Sequence, residues 1–354
     1  TKESGGLRRP AHLHYCDNEI QSTMTSQPIV SSGDFQFQAN SQWAKWPADW
    51  GVQEVSSVAT DSRDRVYLFN RSGRPIAVFD REGNFLQSWD GDFFVRPHGI
   101  FIDAHDMVYG VDDLGHTVTK FSPDGQQLFR IGTRGQPSAT GATSIDYRTI
   151  KHEGPPFHYP TNLAVAPNGE LYVSDGYGNA RIHRFTADGE LISSWGSPGA
   201  GPGQFHVPHG IAVHPDGTVF VADRENDRLQ LFSPDGRFLT EWTGMARPCD
   251  LDIAPDGNVY VAELGYRAGM WPGVVAPSPD ATGGRVSIFD PQGELLARFG
   301  GGEKPYEAGD FFAPHAIWLD SRGDFYLSEV CYTAARNVPP EQGSYHTLQK
   351  FSRI

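Results

Sequence analysis

Three histidines stand in one recurring frame: Pro97-His98-Gly-Ile, Pro208-His209-Gly-Ile and Pro314-His315-Ala-Ile. An imidazole offers one bare nitrogen to a metal. Three of them meeting at a point, with a fourth direction open, make the arrangement of a catalytic zinc site. The alternative is that each is an ordinary core histidine after a proline turn. What favours the metal is the phase in which the three recur, and that depends on the elements that carry them.

The frame belongs to a longer repeated phrase. It runs Pro-x-Gly/Asn-Ile/Leu-x-Val/Ile-x-Pro-Asp/Asn-Gly-x-Val/Leu-Tyr/Phe-Val, then an acidic residue, a strand ending in Phe, and x-Asp-Gly. The clearest copies are HYPTNLAVAPNGELYVSDGYGNARIHRFTADGELISSWG from His158 and HVPHGIAVHPDGTVFVADRENDRLQLFSPDGRFLTEWTG from His206. Others start at Pro97, Pro248 (resuming at Arg285) and Pro314, and a degenerate first copy starts at Ser56. Each copy reads as four short strands with Asn-Gly or Asp-Gly turns such as Asn168-Gly169 and Asp216-Gly217. Six such units predict an all-β, six-bladed β-propeller. The last copy ends in LQKFSRI, one strand short. The alternating segment from Phe35 to Trp46 is expected to supply the outermost strand of the last blade and close the ring.

The innermost strand of each blade starts at one repeat position, occupied by Ser56, His98, Thr161, His209, Cys249 and His315. Histidine fills the second, fourth and sixth. Alternate blades of a six-fold ring lie about 120° apart, so equivalent residues on them face one point on the axis. The other histidines (12, 14, 105, 116, 152, 158, 183, 206, 214 and 346) share no phase and are expected on loops and surface. Cys249 is expected to be a small core residue. Asp112, Asp175, Asp223, Glu263 and Glu329 recur at a single position and are expected to satisfy strand-end amides rather than to do chemistry.

Around this site the sequence resembles the peptidyl-α-hydroxyglycine α-amidating lyases, which are NHL-repeat propellers. The phrases that carry the resemblance are YPTNLAV, VSDGYGNARI, VPHGIAV and VADRENDRLQLF, between Tyr159 and Leu239. It implies zinc on His98, His209 and His315, an essential tyrosine at Tyr177, and arginines at Arg224 and, in a looser alignment, Arg71. Zinc binding would acidify the hydroxyl of a carbinolamide. A tyrosine whose pKa near 10 is lowered by neighbouring cations would take its proton. The arginines would hold that phenolate or a substrate carboxylate. The implied reaction splits the C–N bond of an α-hydroxy amide into an amide and a glyoxylate-like acid. The residues alone leave two alternatives open: a metal-hydroxide hydrolase of a small amide, ester or ring, and a non-catalytic scaffold for protein contacts. The sequence also departs from the family. Ala316 stands where its structural calcium takes an aspartate, leaving the Ile100 carbonyl as a remaining ligand, so calcium is in doubt. Gly178 stands where the family has a disulfide cysteine.

Composition narrows the partners. Among 354 residues, 40 glycines and 26 prolines suit short strands and tight turns, and the formal charge is −14. So acidic a surface argues against nucleic acid and anionic membrane and leaves a small-molecule substrate. Three isolated cysteines indicate no disulfide framework. Residues 1–34 lack the apolar run of a signal peptide and read as a flexible leader, with Met24 a candidate start; the propeller is assigned to 35–354 and the location to the cytoplasm. Two insertions, 133–157 and 265–284, read either as lids and specificity elements or as solvated decoration.

Overall fold

A computed structural model describes residues 27–50, 54–71, 73–266, 282–334 and 346–354. Five four-stranded antiparallel sheets and one five-stranded sheet form the six blades. The innermost strands are Val55–Thr60, Pro97–Ile102, Pro160–Val165, Pro208–Val213, Pro248–Ile253 and Pro314–Leu319, in blades 1 to 6. The alternation of apolar and polar residues along each outer strand packs one face into the cleft between neighbouring blades. Six separate apolar clusters result, one in each cleft. The second insertion falls largely outside the described residues, as does Cys16.

Blade 6 closes the ring by joining the two ends of the described chain. Its inner strands Pro314–Leu319 and Phe325–Glu329 are followed by Leu348–Arg353, which pairs antiparallel with Phe35–Asn40. The expected closure is therefore present, with two corrections. The closing strand stops at Asn40; Trp43 turns back to pack on Phe79 of blade 1 and Tyr326 of blade 6, with ring centroids 5.8 and 5.1 Å away. It is also not outermost, because Ile29–Ser32 pairs outside it, so the sheet begins within the segment read as leader. Phe37 anchors the closure. It is fully buried and meets Phe325 edge to face at 4.9 Å.

The recurring acidic position does what its spacing suggested. Asp112 accepts from the amides of Val95 and Arg96, Asp175 from His158, Asp223 from His206, Glu263 from Ala246, and Glu329 from Phe312 and Ala313. Each carboxylate thus ties the second strand of its blade to the segment that leads into the innermost strand. Buried amides need such partners, and the tie fixes where the innermost strand begins.

Every innermost strand carries a register shift at that beginning: between Val55 and Ser57, Pro97 and Gly99, Pro160 and Asn162, Pro208 and Ile211, Pro248 and Asp250, and Pro314 and Ala316. A bulge inserts an extra residue and re-aims its side chain. The residue concerned is the ring position in all six blades, and it takes in His98, His209 and His315.

Two measurements test this account of closure. Phe37→Ala should lower unfolding stability by about 3–5 kcal/mol in denaturant titration, the usual cost of emptying a buried phenylalanine site. Burial pushes the Glu329 carboxyl up to about 7, against the amides of Ala313 and Phe312 that favour its charge. The folded protein then keeps a proton that the unfolded chain releases near its ordinary value of 4.5. Stability should fall as pH rises from the lower value through the higher and level off above it, and Glu329→Gln should remove that part of the slope.

Candidate metal centre and its surroundings

The bulges bring the three imidazoles together. Ring centroids lie 4.9 Å (His98–His209), 4.8 Å (His98–His315) and 4.8 Å (His209–His315) apart. One ligand nitrogen from each falls within 4.8 Å of the others, and all three residues are buried. Orientation comes from the odd-numbered blades. Nδ1 of His98 lies 2.6 Å from the Thr161 carbonyl, Nδ1 of His209 lies 2.7 Å from the Cys249 carbonyl, and Nδ1 of His315 lies 2.7 Å from the Ser56 carbonyl. Since a carbonyl only accepts, Nδ1 must carry the proton and Nε2 is left bare. Burial drives all three pKa values well below the ordinary one, aided by the neighbouring imidazoles for His98, by Arg224 for His209 and by Arg71 for His315. Three neutral imidazoles with bare Nε2 atoms suit a divalent ion, and the carbonyls that accept from Nδ1 fix their tautomer.

Tyr177 stands over this group. Its hydroxyl is 3.1 Å from Nε2 of His98 and 3.0 Å from Nε2 of His209. The tight run Gly176-Tyr177-Gly178 is what lets it in. A Cβ at Gly176 would lie 2.1 Å from the Pro208 carbonyl oxygen, and one at Gly178 would lie 2.6 Å from the His158 ring. The departure at Gly178 therefore has a complement: His158 fills the space beside it. Burial raises the Tyr177 phenol above its ordinary value, while Arg224 and Arg96 pull the other way.

Arg224 is held behind the phenol by the short helical turn Arg224–Asn226 at the end of a blade 4 strand. Its Nη1 donates to the Tyr177 oxygen at 3.3 Å and its Nε to Glu225 at 2.8 Å. Its Nη2 is buried and finds no acceptor oxygen among the described residues. Burial opposes its charge, but Tyr177 and Glu225 keep it firmly protonated. Arg71 reaches in from blade 1, tethered by Glu54 at 3.1 Å, Thr333 at 2.9 Å and the Pro97 carbonyl at 3.2 Å. Tyr177, Arg71, Arg224 and His315 line one narrow cleft above the axis. All six residues singled out from sequence thus converge.

The same cleft includes residues that sequence reasoning missed. Arg96 precedes Pro97-His98 directly and pairs with buried Asp113 through Nε and Nη2. Its adjacency to a ligand was the available signal. Thr333 comes from the short helix Cys331–Ala334, whose position no repeat foretold. Ile145 comes from the first insertion, where Tyr147 also packs on His206 with centroids 5.2 Å apart, so this insertion forms part of the site wall. Arg247 shares Glu225 with Arg224. Three guanidiniums (Arg71, Arg96, Arg224) thus line the cleft, held by Glu54, Asp113 and Glu225.

Other expectations resolve as follows. Cys249 is fully buried; burial lifts its thiol to about 11, and its carbonyl serves His209. His116, His158 and His183 are buried, not surface residues. They make local bonds beneath the first insertion: His158 Nδ1 to Thr140 Oγ1 at 2.8 Å, His116 Nδ1 accepting from the Tyr159 amide at 3.1 Å, and His183 Nδ1 to Ser194 Oγ at 2.7 Å. Among the described residues, the ring histidines alone form a group able to hold a metal. Where the family has its calcium aspartate, Ala316 is apolar; the carboxylate in the channel is instead Asp250 of blade 5, which accepts from Asn162 at 2.8 Å and from the Ile317 amide at 3.3 Å.

Comparison with known proteins follows the same lines. The NHL repeat model matches residues 157–185 and 205–232. The chain is 34% identical over 236 residues to peptidyl-alpha-hydroxyglycine alpha-amidating lyase 1 of Drosophila melanogaster, covering 56% of this chain and 41% of that protein. It is 30% identical over 315 residues to lyase 2 of the same fly, covering 80% and 71%. NHL repeat-containing protein 3 of Homo sapiens is 27% identical over 90% of this chain and 88% of its own. Among solved structures, a streptogramin B lyase superposes with a TM-score of 0.57 at 13% identity, covering 90% of this chain and 98% of that one. The likeness to that structure is one of fold. Fold and repeat define an NHL-type six-bladed β-propeller. Within that class, the chain belongs to the peptidyl-α-hydroxyglycine α-amidating lyase family. Among the described residues, no helix is long and apolar enough to cross a membrane.

If the three imidazoles act as one site, purified protein should carry one divalent ion per chain by elemental analysis. His98→Ala, His209→Ala and His315→Ala should each reduce it to a small fraction while the β-sheet circular dichroism is unchanged.

Proposed function

We propose that this protein is a metal-dependent lyase that cleaves the C–N bond of an α-hydroxy amide, giving an amide and a glyoxylate-like acid. The observation that carries the reading is the phenol oxygen of Tyr177, within hydrogen-bonding distance of two bare imidazole nitrogens and backed by Arg224. Zinc, held by His98, His209 and His315, would supply Lewis acidity to the substrate hydroxyl.

The chain's own groups do the rest. The Tyr177 phenolate, favoured by Arg224, Arg96 and the adjacent dication site, takes the hydroxyl proton. The hydroxyl oxygen's electron pair becomes the new carbonyl bond and the C–N pair leaves with nitrogen. The phenol then returns the proton to that nitrogen. The Nη2 of Arg224, which has no acceptor oxygen among the described residues, and the guanidinium of Arg71 are suited to hold the substrate carboxylate. Ile145, Leu264, Val330 and Ala334 supply an apolar wall that limits water.

The human NHL repeat-containing relative keeps a scaffold role in view as the second reading. It gives no reason for three oriented imidazoles beneath a buried tyrosine. The experiment is turnover of an N-acyl-α-hydroxyglycine, followed by glyoxylate release. Tyr177→Phe should lower kcat by at least about 10²-fold, the scale of a lost general base, with bound metal unchanged. Unaltered turnover would remove Tyr177 from the chemistry. In H₂¹⁸O the amide product should form without label; an ¹⁸O-labelled acyl carboxylate in place of the amide would point to hydrolysis instead.

A further inference from the structure

A second and larger cavity opens from the metal cleft between blades 1 and 2. This groove has an apolar side formed by Phe94, Val95 and Leu114 and a polar side formed by Glu54 and Asp92. Val95 and Leu114 are exposed at 50% and 37%, unusual for apolar side chains beside a polar site. Arg71, Arg96 and Thr333 line both cavities and so mark the neck between them. Arg96 is committed on one side only. Its Nε and Nη2 grip Asp113, and its Nη1 has no hydrogen-bond partner among the described residues.

On the proposed reaction, the substrate has two arms. The carboxylate arm belongs with Arg224 and Arg71. The acyl arm must leave the cleft, and the groove is the space continuous with it. A chain running from the metal site into the groove passes its first acyl carbonyl over Arg96.

We infer that Arg96 is a further catalytic residue, donating through Nη1 to the acyl carbonyl oxygen of the leaving amide, and that the blade 1–2 groove seats the acyl group. The inference rests on the lyase reading. Its chemistry follows from the bond that breaks. As C–N opens, the pair moves to nitrogen and, by conjugation, to the acyl oxygen; no oxidation occurs and the proton lost from the hydroxyl ends on nitrogen. Charge therefore grows on that oxygen only in the transition state. A preorganised guanidinium aimed at it lowers the barrier, and Asp113 holds it in place without cancelling its hydrogen bond.

The test uses N-aroyl-α-hydroxyglycines whose ring substituents run from electron-donating to electron-withdrawing. Because Arg96→Gln alone leaves buried Asp113 without its partner, the working variant is Arg96→Gln with Asp113→Asn, checked for metal content and melting temperature. Arg96→Lys is the conservative control. The double variant should lose about 10²-fold in kcat on electron-rich acyl groups, the usual cost of one oxyanion donor, and little on electron-poor ones, with Arg96→Lys intermediate. A uniform loss across the series, or a change in KM alone, would overturn the assignment. A second arm needs no turnover. Bound N-benzoylglycine labelled with ¹³C at the acyl carbonyl should show an infrared stretch at lower frequency in wild type than in the double variant; equal stretches would likewise overturn it. Wild-type protein that shifts this stretch yet cleaves none of the series would refute the lyase reading while leaving the carbonyl contact standing.

Discussion

The centre of this molecule depends on a hydrogen bond from a side chain of one blade to the backbone of the next. Each ring histidine gives its Nδ1 proton to the carbonyl at the same ring position of the following blade. That bond settles the tautomer, turns Nε2 to the axis and couples even blades to odd ones. It forms because the bulge at the start of each innermost strand swings the ring residue inward, and because the acidic residue seventeen positions beyond the segment that leads into that strand pins the segment in place.

Electrostatics at the top of the channel follow from that core. The protein sets guanidiniums beside the three buried imidazoles, and their positive charge adds to burial in keeping the rings neutral. Each guanidinium carries a carboxylate of its own or shares one, so the cluster is tolerable when buried. Glu225 is shared, serving both Arg224 and Arg247. An acidic protein thus lines the pocket at its axis with guanidiniums.

The periodic part of this architecture was legible in the sequence. The six phrases gave the blades, the ring position of His98, His209 and His315, and the amide-binding role of Asp175, Asp223 and Glu329, since all of these repeat. Tyr177, Arg224 and Arg71 came from likeness to a family rather than from period. What escaped lacks a period. Arg96 sits in a linker, Thr333 on a helical turn between two strands of blade 6, and Ile145 in an insertion; each reaches the cleft through tertiary folding alone. His116 and His158 lie on loops as expected, but their burial, and that of His183 in a strand, escaped because histidine burial is decided by local partners such as Thr140 and Ser194, which spacing does not reveal. Ile29–Ser32 escaped because a strand of four residues at a sheet edge carries too short an alternation to read.

The acceptors that orient the imidazoles are main-chain oxygens, and this leaves three side chains beside the axis without an orienting duty. Serine, threonine and cysteine occupy those places at Ser56, Thr161 and Cys249. The scaffold therefore separates what must be kept from what can drift. Exchange of these three neighbours would retune polarity or bulk around a bound ion, one blade at a time, while the geometry that grips it stays written in the backbone.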